Sequence, residues 1–231
     1  MLLRQKQRLT SEEQDEFFQM IHEAGNRLEI LTERLFELAQ LEAGTFQLQY
    51  GQVDMLSLAQ ETITDAKRRV PEPLRDRFTF HLQCRDVAGN QAEELPPVNG
   101  DAHCLHKVLD HLLENAIRYS PMGGRIDVIV RPAPQDGTTI MHDQLGNGPP
   151  FLEICVCDFG LGIPDGHQER IFEHFYRIDT RLNREVSGLG LGLTVCKYLV
   201  ALHHGRIWVE SCPAGGSAFH IWLPLERPSM I

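Results

Sequence analysis

Apolar residues recur at alternating spacings of four and three along the first part of the chain, between residues 11 and 43. The members of this stripe are Phe17, Ile21, Ala24, Leu28, Leu31, Leu35 and Leu38. A period of about 3.5 residues, sustained over about three heptads, predicts one long helix with a narrow apolar face. Thr10 or Ser11 can cap its start, and Gly44 ends it. Because the stripe is narrow and the helix long, we favour packing in a bundle or coiled coil, often between subunits, over an amphipathic helix lying on its own domain.

Beyond residues 44 to 50 the pattern becomes a mixture of strands and helices, which indicates a second domain of α/β class. Alternating or continuous apolar runs predict strands over 78–84, 125–130, 151–157, 206–210 and 218–223. Helical periodicity predicts helices over 53–69, 101–119 and 193–202. The strand over 151–157 is the most apolar and is expected to be central. Residues 85–97 and 132–150 are polar or rich in Gly and Pro and are predicted to be loops, the second of them a long hairpin connection.

Composition excludes several classes of function. The chain has 231 residues, of which 42% are hydrophobic, and a formal net charge of −10. Such a length and apolar content allow a substantial core, whereas the acidic balance argues against a nucleic-acid partner, which would favour clustered Lys and Arg. No apolar run approaches the roughly twenty residues that span a bilayer, and residues 1–4 do not form a signal peptide. We therefore expect a soluble chain without membrane contact.

Six cysteines are scattered along the chain, at positions 84, 104, 155, 157, 196 and 212. Without a C-x-x-C pair or the spacing of a small disulfide-rich domain, they indicate reduced, mostly buried thiols of a cytosolic protein. Cys155 and Cys157 would share one face of a strand. No third ligand stands at a short spacing, so we expect no structural metal there.

Three glycines at alternate positions lie within Ser187-Gly188-Leu189-Gly190-Leu191-Gly192-Leu193-Thr194. Such a loop lets backbone N–H groups point at an anion, and the helix predicted to follow adds its unpaired amides and positive dipole end. The pattern favours a phosphate-binding loop, although turns and tight helix packing also use glycine. It lacks the Lys-Ser/Thr pair of the Walker loop and the preceding strand of the dinucleotide-binding loop.

A carboxylate follows the predicted central strand, in Asp158-Phe159-Gly160-Leu161-Gly162-Ile163. A buried carboxylate is costly unless it meets a donor, and the exocyclic amine of a bound base is such a donor. The alternative is an Asx-turn at a strand end. Residues 165–187 are polar around Ile171 to Arg177, which we place on about two turns of helix, and this composition is typical of a hinged lid.

Four stretches stand in one order along the chain: Glu114 to Pro121, Asp158 to Gly162, Phe172 to Arg177, and Gly188 to Leu193. Together they resemble the N, G1, F and G2 boxes of the sensor histidine kinases of bacterial two-component systems, in the ATPase superfamily that also holds gyrase B and MutL. The resemblance covers residues 11 to 225. It implies a two-layer α/β sandwich of the Bergerat type, a mixed sheet with helices on one face, preceded by a long bundle helix. Nucleotide would lie beneath a mobile lid.

The resemblance also assigns roles in binding ATP and Mg²⁺. Asn115 would hold Mg²⁺ through its side-chain oxygen, a ligand that suits a hard cation. The residues implied for the base are Tyr119 beside it, Asp158 on its amino group, Gly160, Gly162 and Ile163 along the ring, and Ser217 through water. Those implied for the phosphates are Arg118, Arg177, Gly188, Leu189, Gly190, Leu191, Gly192 and Leu193.

Two departures from the family pattern concern histidines. His111 stands where gyrase-type hydrolases have the glutamate that activates water, so hydrolysis by that mechanism is not expected. The family's phospho-acceptor histidine lies on the first helix of a hairpin whose second helix ends in Leu-Glu-Ala-Gly. Here that ending is Leu41-Glu42-Ala43-Gly44, so residues 1–47 match a dimerisation region without the acceptor helix, and His22 lies midway along the second helix. We therefore do not expect His22 to be the acceptor.

The resemblance thus implies a partial dimerisation region over 1–47 and an ATP-binding catalytic domain over 48–231 of a sensor histidine kinase. The γ-phosphoryl group of Mg-ATP would pass to a histidine and then to an aspartate of a response-regulator receiver domain, the expected partner. A homodimer through residues 11–43 is expected. The location would be cytoplasmic, either for the chain itself or as part of a larger membrane-bound sensor. The alternative is a non-catalytic, ATP-dependent conformational switch or degenerate kinase that regulates a partner.

Overall fold

The structure of the chain is a computed structural model that describes residues 10–133, 150–178, 190–212 and 215–226. The chain divides into two compact units, residues 1–46 and 47–231. The predicted loop over 132–150 and the second half of the predicted lid lie mostly outside the described residues, and so do Gly188 and Leu189 of the predicted phosphate loop. No helix in the described part of the chain is long and apolar enough to cross a membrane.

The first unit contains a single described helix, α1 (Ser11–Glu42), of 32 residues. It confirms the helix predicted over 11–43, and Gly44 follows it with a left-handed φ of +64°. Four residues of the apolar stripe are substantially exposed: Phe17, Ile21, Leu28 and Leu35. His22 is also exposed, and its Nε2 lies 3.3 Å from Nδ2 of Asn26 one turn later. The apolar face of α1 is therefore largely uncovered, which is the arrangement expected of a helix that packs against a partner.

The second unit contains three further described helices and seven strands. The helices are α2 (Met55–Arg69), α3 (Ala102–Arg118) and α4 (Gly192–Leu202), with short 3₁₀ turns at Glu72–Arg77 and Arg170–Phe172. The strands are β1 (Gly51–Val53), β2 (Phe78–Cys84), β3 (Val98–Gly100), β4 (Gly124–Pro132), β5 (Phe151–Asp158), β6 (Arg206–Ser211) and β7 (Ser217–Pro224).

Five of these strands form one mixed sheet in the order β2-β4-β5-β7-β6. Strand β2 runs parallel to β4, and all the other neighbours are antiparallel. Strand β5 is in the middle of the sheet, so the prediction of a central strand over 151–157 is confirmed. The short pair β1-β3 was missed, because strands of three residues are too brief to show an alternating pattern.

The core of the second unit lies between one face of this sheet and helices α2, α3 and α4. Its completely buried residues include Val108, Leu112, Ile126, Ile154, Leu199 and Leu223. Some of them lie on β4, β5 and β7, and the others on the apolar faces of α3 and α4. This explains why the sequence shows both the two-residue period of strands and the 3.6-residue period of helices. The predicted two-layer arrangement of mixed sheet and helices is confirmed.

The opposite face of the sheet carries polar and aromatic side chains. Glu153 of β5 is 3% exposed and accepts hydrogen bonds from Arg131 Nε at 2.7 Å and from His220 Nδ1 at 2.8 Å. Burial alone would raise the pKa of Glu153. The hydrogen bonds from His220 and Arg131 outweigh this effect, so the pKa is lowered. Trp208 stacks on His220 with ring centroids 5.0 Å apart. The carboxylate thus stays ionised inside a paired network.

The helix predicted around Ile171 to Arg177 is wrong beyond its first turn. Only Arg170–Phe172 is helical, as a 3₁₀ turn, and Phe175 has a left-handed φ of +59°. A right-handed helix cannot continue through such a residue. The N–H of Phe175 instead donates to the carbonyl of Gly190 at 3.1 Å, a long-range contact that overrides the local helical pattern.

Candidate functional site

Helix α3 carries the first group of predicted site residues, and Asp101 fixes where this helix begins. Its Oδ1 accepts from the N–H of Cys104 at 3.1 Å, which caps the helix, and its Oδ2 accepts from the N–H of Gln49 at 2.7 Å. The N–H of Asp101 donates to Nε2 of His203 at 2.9 Å, at the end of α4. These bonds tie the start of α3 to the end of α4.

Asn115, Arg118 and Tyr119 lie at that last turn, with half-buried side chains. Arg118 forms an ion pair with Glu114, one turn earlier on the same face. The carbonyl of Tyr119 accepts from the N–H of Leu161 at 3.0 Å. The end of α3 is therefore joined directly to the glycine segment that follows β5.

Asp158 is the last residue of β5 and is 4% exposed. Its Oδ1 accepts from the N–H of Gly160 at 2.9 Å and from the N–H of Ser217 at 3.3 Å. Burial raises the pKa of the Asp158 carboxyl, although these backbone bonds oppose the rise. Both hydrogen bonds go to Oδ1. Among the described residues, Oδ2 is therefore the oxygen left to accept from a ligand.

The alternative role predicted for Asp158 was an Asx-turn. The structure contains this turn, since the hydrogen bond from the N–H of Gly160 to Asp158 forms it. It does not displace the predicted ligand role, since it uses one carboxylate oxygen of two. The turn instead fixes the orientation of the carboxylate.

Close backbone contacts hold the segment after Asp158 in place. A methyl group on Gly160 would lie 2.2 Å from the carbonyl oxygen of Tyr119, and one on Gly216 would lie 2.1 Å from the carbonyl oxygen of Asp158. The carbonyl of Ile163 accepts from Ser211 Oγ at 3.5 Å. The residues predicted to contact the base thus lie around the same end of the sheet. They are Asp158, Gly160, Gly162, Ile163 and Ser217.

The described part of the predicted phosphate loop lies at the start of α4. Gly190 has a φ of +70°, Leu191 is completely buried, and Gly192 begins the helix, followed by Leu193. Within the described residues no side chain caps this helix N-terminus. Its first amides therefore remain for an anion. Thr194 Oγ1 donates to the carbonyl of Phe172 at 3.1 Å, which attaches the aromatic segment to α4.

His111 is 7% exposed and lies beneath the start of α4, since a methyl group on Gly192 would be 3.7 Å from its Nδ1. That nitrogen is also 3.7 Å from Oε2 of Glu114. The other nitrogen, Nε2, is buried without a hydrogen-bond partner in the described part of the chain. The imidazole is thus packed between α3 and α4 rather than solvated.

Arg177 is exposed, two residues after the turn at Phe175. The structure attaches this segment to α4 through Phe175 and Thr194, so it brings the aromatic segment next to the glycines of the phosphate loop. Gly188 and Leu189 are outside the described residues.

Two residues with a role in the geometry were missed from sequence. Gly216 packs the β6-β7 turn closely against the backbone of Asp158, a contact between segments that are distant in sequence. Glu114 pairs with Arg118, and for this pair a signal was available, because opposite charges four residues apart on a helix are neighbours.

Asn115 is the residue in this group that suits Mg²⁺, because its amide oxygen is a hard ligand. Among the described residues, no group of three or more His, Cys, Asp or Glu side chains is arranged to hold a metal ion. A cation at this site would therefore have to take most of its ligands from water and from the phosphates of a nucleotide. That is the usual coordination of Mg²⁺ beside a nucleotide.

Comparison with known proteins gives a family match. The model of the family described as histidine kinase-, DNA gyrase B- and HSP90-like ATPase matches residues 100–227. The adaptive-response sensory kinase SasA of Rippkaea orientalis is 30% identical over 227 residues, which cover 97% of this chain and 52% of that protein. The alginate biosynthesis sensor protein KinB of Pseudomonas aeruginosa is 32% identical over 97% of this chain and 33% of that protein. The chain spans about half the length of the SasA relatives.

Solved structures share the fold. Full-length ShkA in complex with AMPPNP superposes with a TM-score of 0.69, covering 97% of this chain and 41% of that one, at 21% identity. The mycobacterial sensor histidine kinase MprB superposes with a TM-score of 0.55, covering 76% of this chain and 97% of that one, at 27% identity. These similarities confirm the predicted ATPase-type α/β fold.

Proposed function

Because the chain belongs to the family of histidine kinase-, DNA gyrase B- and HSP90-like ATPases, we propose that its second unit binds Mg-ATP as the catalytic domain of a sensor histidine kinase. The observation that carries this proposal is Asp158. It is a buried carboxylate with one oxygen fixed by two backbone amides, and it stands where the ends of β5 and α3 and the β6-β7 turn meet.

Asp158 recognises the adenine amino group through Oδ2. The amino group donates, and an ionised carboxylate only accepts, so the pair is matched in the buried setting. Gly160 and Gly162 leave room for the ring to approach the backbone, with Ile163 and Tyr119 beside it. Ser217 is held by its own N–H to Asp158 and is placed to reach the base through water.

The phosphates lie between the end of α3 and the start of α4. The uncapped amides of α4 and the glycines before them bind the negative charge. Arg118 exchanges Glu114 for a phosphate oxygen, and Arg177 closes over the phosphates from the aromatic segment. Asn115 holds Mg²⁺, which when bound neutralises part of the triphosphate charge.

The whole protein, in our proposal, transfers the γ-phosphoryl group to a histidine and then to an aspartate of a response-regulator receiver domain. The residues of this domain act by positioning the nucleotide and neutralising charge. His22 is not the acceptor, because it lies on the helix that matches the second helix of the family's hairpin. Residues 1–47 serve as part of the dimerisation region, and the exposed stripe of α1 supports a homodimer through residues 11–43.

Calorimetric titration with AMPPNP, with and without Mg²⁺, tests the binding site. Asp158→Asn keeps an acceptor oxygen for the Asx-turn but presents an amide donor to the adenine amino group. We expect the affinity for AMPPNP to fall about tenfold to a hundredfold, because an unmatched buried polar group costs about 1–3 kcal/mol. Asn115→Ala should instead remove most of the gain in affinity that Mg²⁺ gives to the unmodified chain.

Asp127→Asn is the matched control, because Asp127 is 5% exposed and is on the opposite face of the sheet, paired with Arg125. It should bind AMPPNP like the unmodified chain. Unchanged affinity and unchanged preference for adenine over guanine nucleotides in Asp158→Asn would overturn the assignment of the base site.

A further inference from the structure

Two thiols that the nucleotide site does not use lie side by side on the sheet face away from the helices. Cys155 and Cys157 are alternate residues of β5, so their side chains leave the same face of the strand. Their sulfur atoms are 3.4 Å apart, and neither cysteine is in a disulfide. Cys155 is 4% exposed, whereas Cys157 is half-buried. Cys157 is therefore the residue of the pair that a reagent in solution reaches first.

We propose that Cys155 and Cys157 form a binding site for trivalent arsenicals, in which one arsenic atom bonds to both sulfurs. The chemical class of the ligand is a trivalent arsenic compound with two exchangeable oxygen groups. Phenylarsine oxide is the probe of choice, because its phenyl group leaves two positions on arsenic for sulfur. This site does not depend on the function proposed for the nucleotide-binding residues.

Strand geometry prevents the two thiols from joining directly. Side chains two residues apart on a strand are separated by about 6.6 Å along it, whereas the β-carbons of a disulfide are about 3.5–4.5 Å apart. Strand β5 is held at this spacing, because it is paired with β4 on one side and with β7 on the other. A third atom between the sulfurs removes the conflict, since it can bridge them at their present separation of 3.4 Å without moving the strand.

The separation of the sulfurs favours arsenic over a tetrahedral metal ion. Sulfur lies about 2.3 Å from zinc, and arsenic, in the same row of the periodic table, forms sulfur bonds of similar length. With such bonds, a separation of 3.4 Å corresponds to an angle of about 95° at the bridging atom, whereas a tetrahedral angle of about 109° would place the sulfurs about 3.8 Å apart. Trivalent arsenic is pyramidal, and its lone pair compresses the bond angles below the tetrahedral value. In the described part of the chain, moreover, no group of three or more His, Cys, Asp or Glu side chains could hold a metal ion.

His220 is placed to accept the proton of the more buried thiol. Its Nδ1 donates to Glu153 at 2.8 Å, so in the neutral imidazole the lone pair is on Nε2. Nε2 lies 3.9 Å from the sulfur of Cys155, the residue directly opposite His220 on the neighbouring strand. The residue opposite Cys157 is Ala218, whose small side chain leaves space beside the outer thiol. The arsenical can therefore enter at Cys157 and form its second bond at Cys155.

The reaction exchanges oxygen for sulfur on arsenic and needs no oxidant or reductant. Hydrated phenylarsine oxide carries a phenyl group and two hydroxyl groups on arsenic. The sulfur of Cys157 attacks arsenic, an As–S bond forms, one As–O bond breaks, and the hydroxyl group leaves as water with the thiol proton. The sulfur of Cys155 attacks the same arsenic atom, and His220 passes the proton of this thiol to the second leaving hydroxyl group. Two As–S bonds thus replace two As–O bonds, two waters are released, and arsenic stays trivalent.

Mass spectrometry of the intact full chain after treatment with phenylarsine oxide tests the proposal. One phenylarsenic group per chain should survive excess 2-mercaptoethanol, a monothiol, and should be released by 2,3-dimercaptopropanol, a dithiol. The second As–S bond forms at the high effective concentration of a neighbouring thiol, so removing either sulfur should weaken retention of the arsenical about a hundredfold. Cys157→Ser and Cys155→Ala should therefore both release the arsenical to 2-mercaptoethanol.

Cys84→Ser is the matched control, because Cys84 is a buried free thiol on another strand of the same sheet. It should retain the arsenical as the unmodified chain does, and circular dichroism should show which variants fold. Cys157→Ser decides the matter if Cys155→Ala does not fold, since Cys157 is half-buried and its replacement disturbs the packing less. Retention of the arsenical by folded Cys157→Ser, or its release from the unmodified chain by 2-mercaptoethanol, would overturn the proposal.

Discussion

Replacing Gly160 by alanine tests whether the base site is built by direct contact between the end of α3 and the segment after β5. A methyl group at this position would lie 2.2 Å from the carbonyl oxygen of Tyr119 and 2.7 Å from Oγ of Ser120. Gly160 does not have a left-handed φ, so its backbone conformation itself accepts alanine. The substitution therefore removes space without adding backbone strain.

The structure gives the size of the effect. Real β-carbon contacts are essentially never closer than 3.0 Å, so the two segments must separate by about 0.8 Å. Overpacking of a close-packed site costs about 1–3 kcal/mol. The same separation weakens the bond from the N–H of Leu161 to the carbonyl of Tyr119, which contributes about 0.5–1.5 kcal/mol. We expect Gly160→Ala to lower the free energy of unfolding of the second unit by about 2–4 kcal/mol.

Urea denaturation followed by tryptophan fluorescence measures this change, because both tryptophans, Trp208 and Trp222, lie on strands of the second unit. Gly51→Ala is the control, since a methyl group on Gly51 would meet no atom within 4 Å. It should change the free energy of unfolding by less than about 0.5 kcal/mol. If Gly160→Ala were as stable as Gly51→Ala, the close contact with Tyr119 would not exist in the folded protein and the geometry described for the base site would be wrong.

Two further predictions concern pH and assembly. His203 is buried and neutral, with Nε2 accepting from Asp101 and Nδ1 donating to Leu199, and burial lowers its pKa. The unfolded chain therefore binds a proton on this histidine more readily than the folded chain does. The free energy of unfolding should fall as the pH drops below about 6.5 toward the lowered pKa of the folded state. His203→Gln should flatten this slope in urea titrations between about pH 8 and 5. On α1, Leu28→Glu should convert dimers to monomers in light scattering because it buries a charge in the stripe. Gln19→Glu, off the stripe, should not, and a monomeric unmodified chain would refute dimerisation through this helix.

Long elements with strong periodicity could be read from sequence. Helices α1 and α3 and the five strands of the sheet match their predictions to within about two residues, because each buries one face and the burial fixes the pattern. The resemblance to the kinase family could also be read from four stretches of sequence, and the family match confirms it, since glycine, asparagine and aspartate at fixed offsets carry a chemical requirement as well as a structural one.

Contacts between distant segments could not be read in this way. The aromatic segment looked helical because its local spacing is helical, but its path is set by Phe175 meeting Gly190. The role of Gly216 could not be read from its neighbours in sequence, because it depends on close contact with Asp158, at the end of another strand. The shared face of Cys155 and Cys157, whose sulfur atoms lie 3.4 Å apart, followed instead from alternation on one strand.

At Asp158 an observed structural role and the ligand role that we propose are compatible in one side chain. The sequence offered an Asx-turn and base recognition as alternatives, because each explains a carboxylate at the end of a buried strand. In the structure Oδ1 makes the turn with Gly160 and also holds Ser217, so the carboxylate is fixed before any ligand arrives. A group that is already oriented loses little freedom when it binds a ligand. In our proposal the turn therefore prepares Asp158 to act as a specific acceptor through its second oxygen. An asparagine at this position separates the turn from the proposed ligand role, because it keeps the turn oxygen and replaces the second oxygen by a donor.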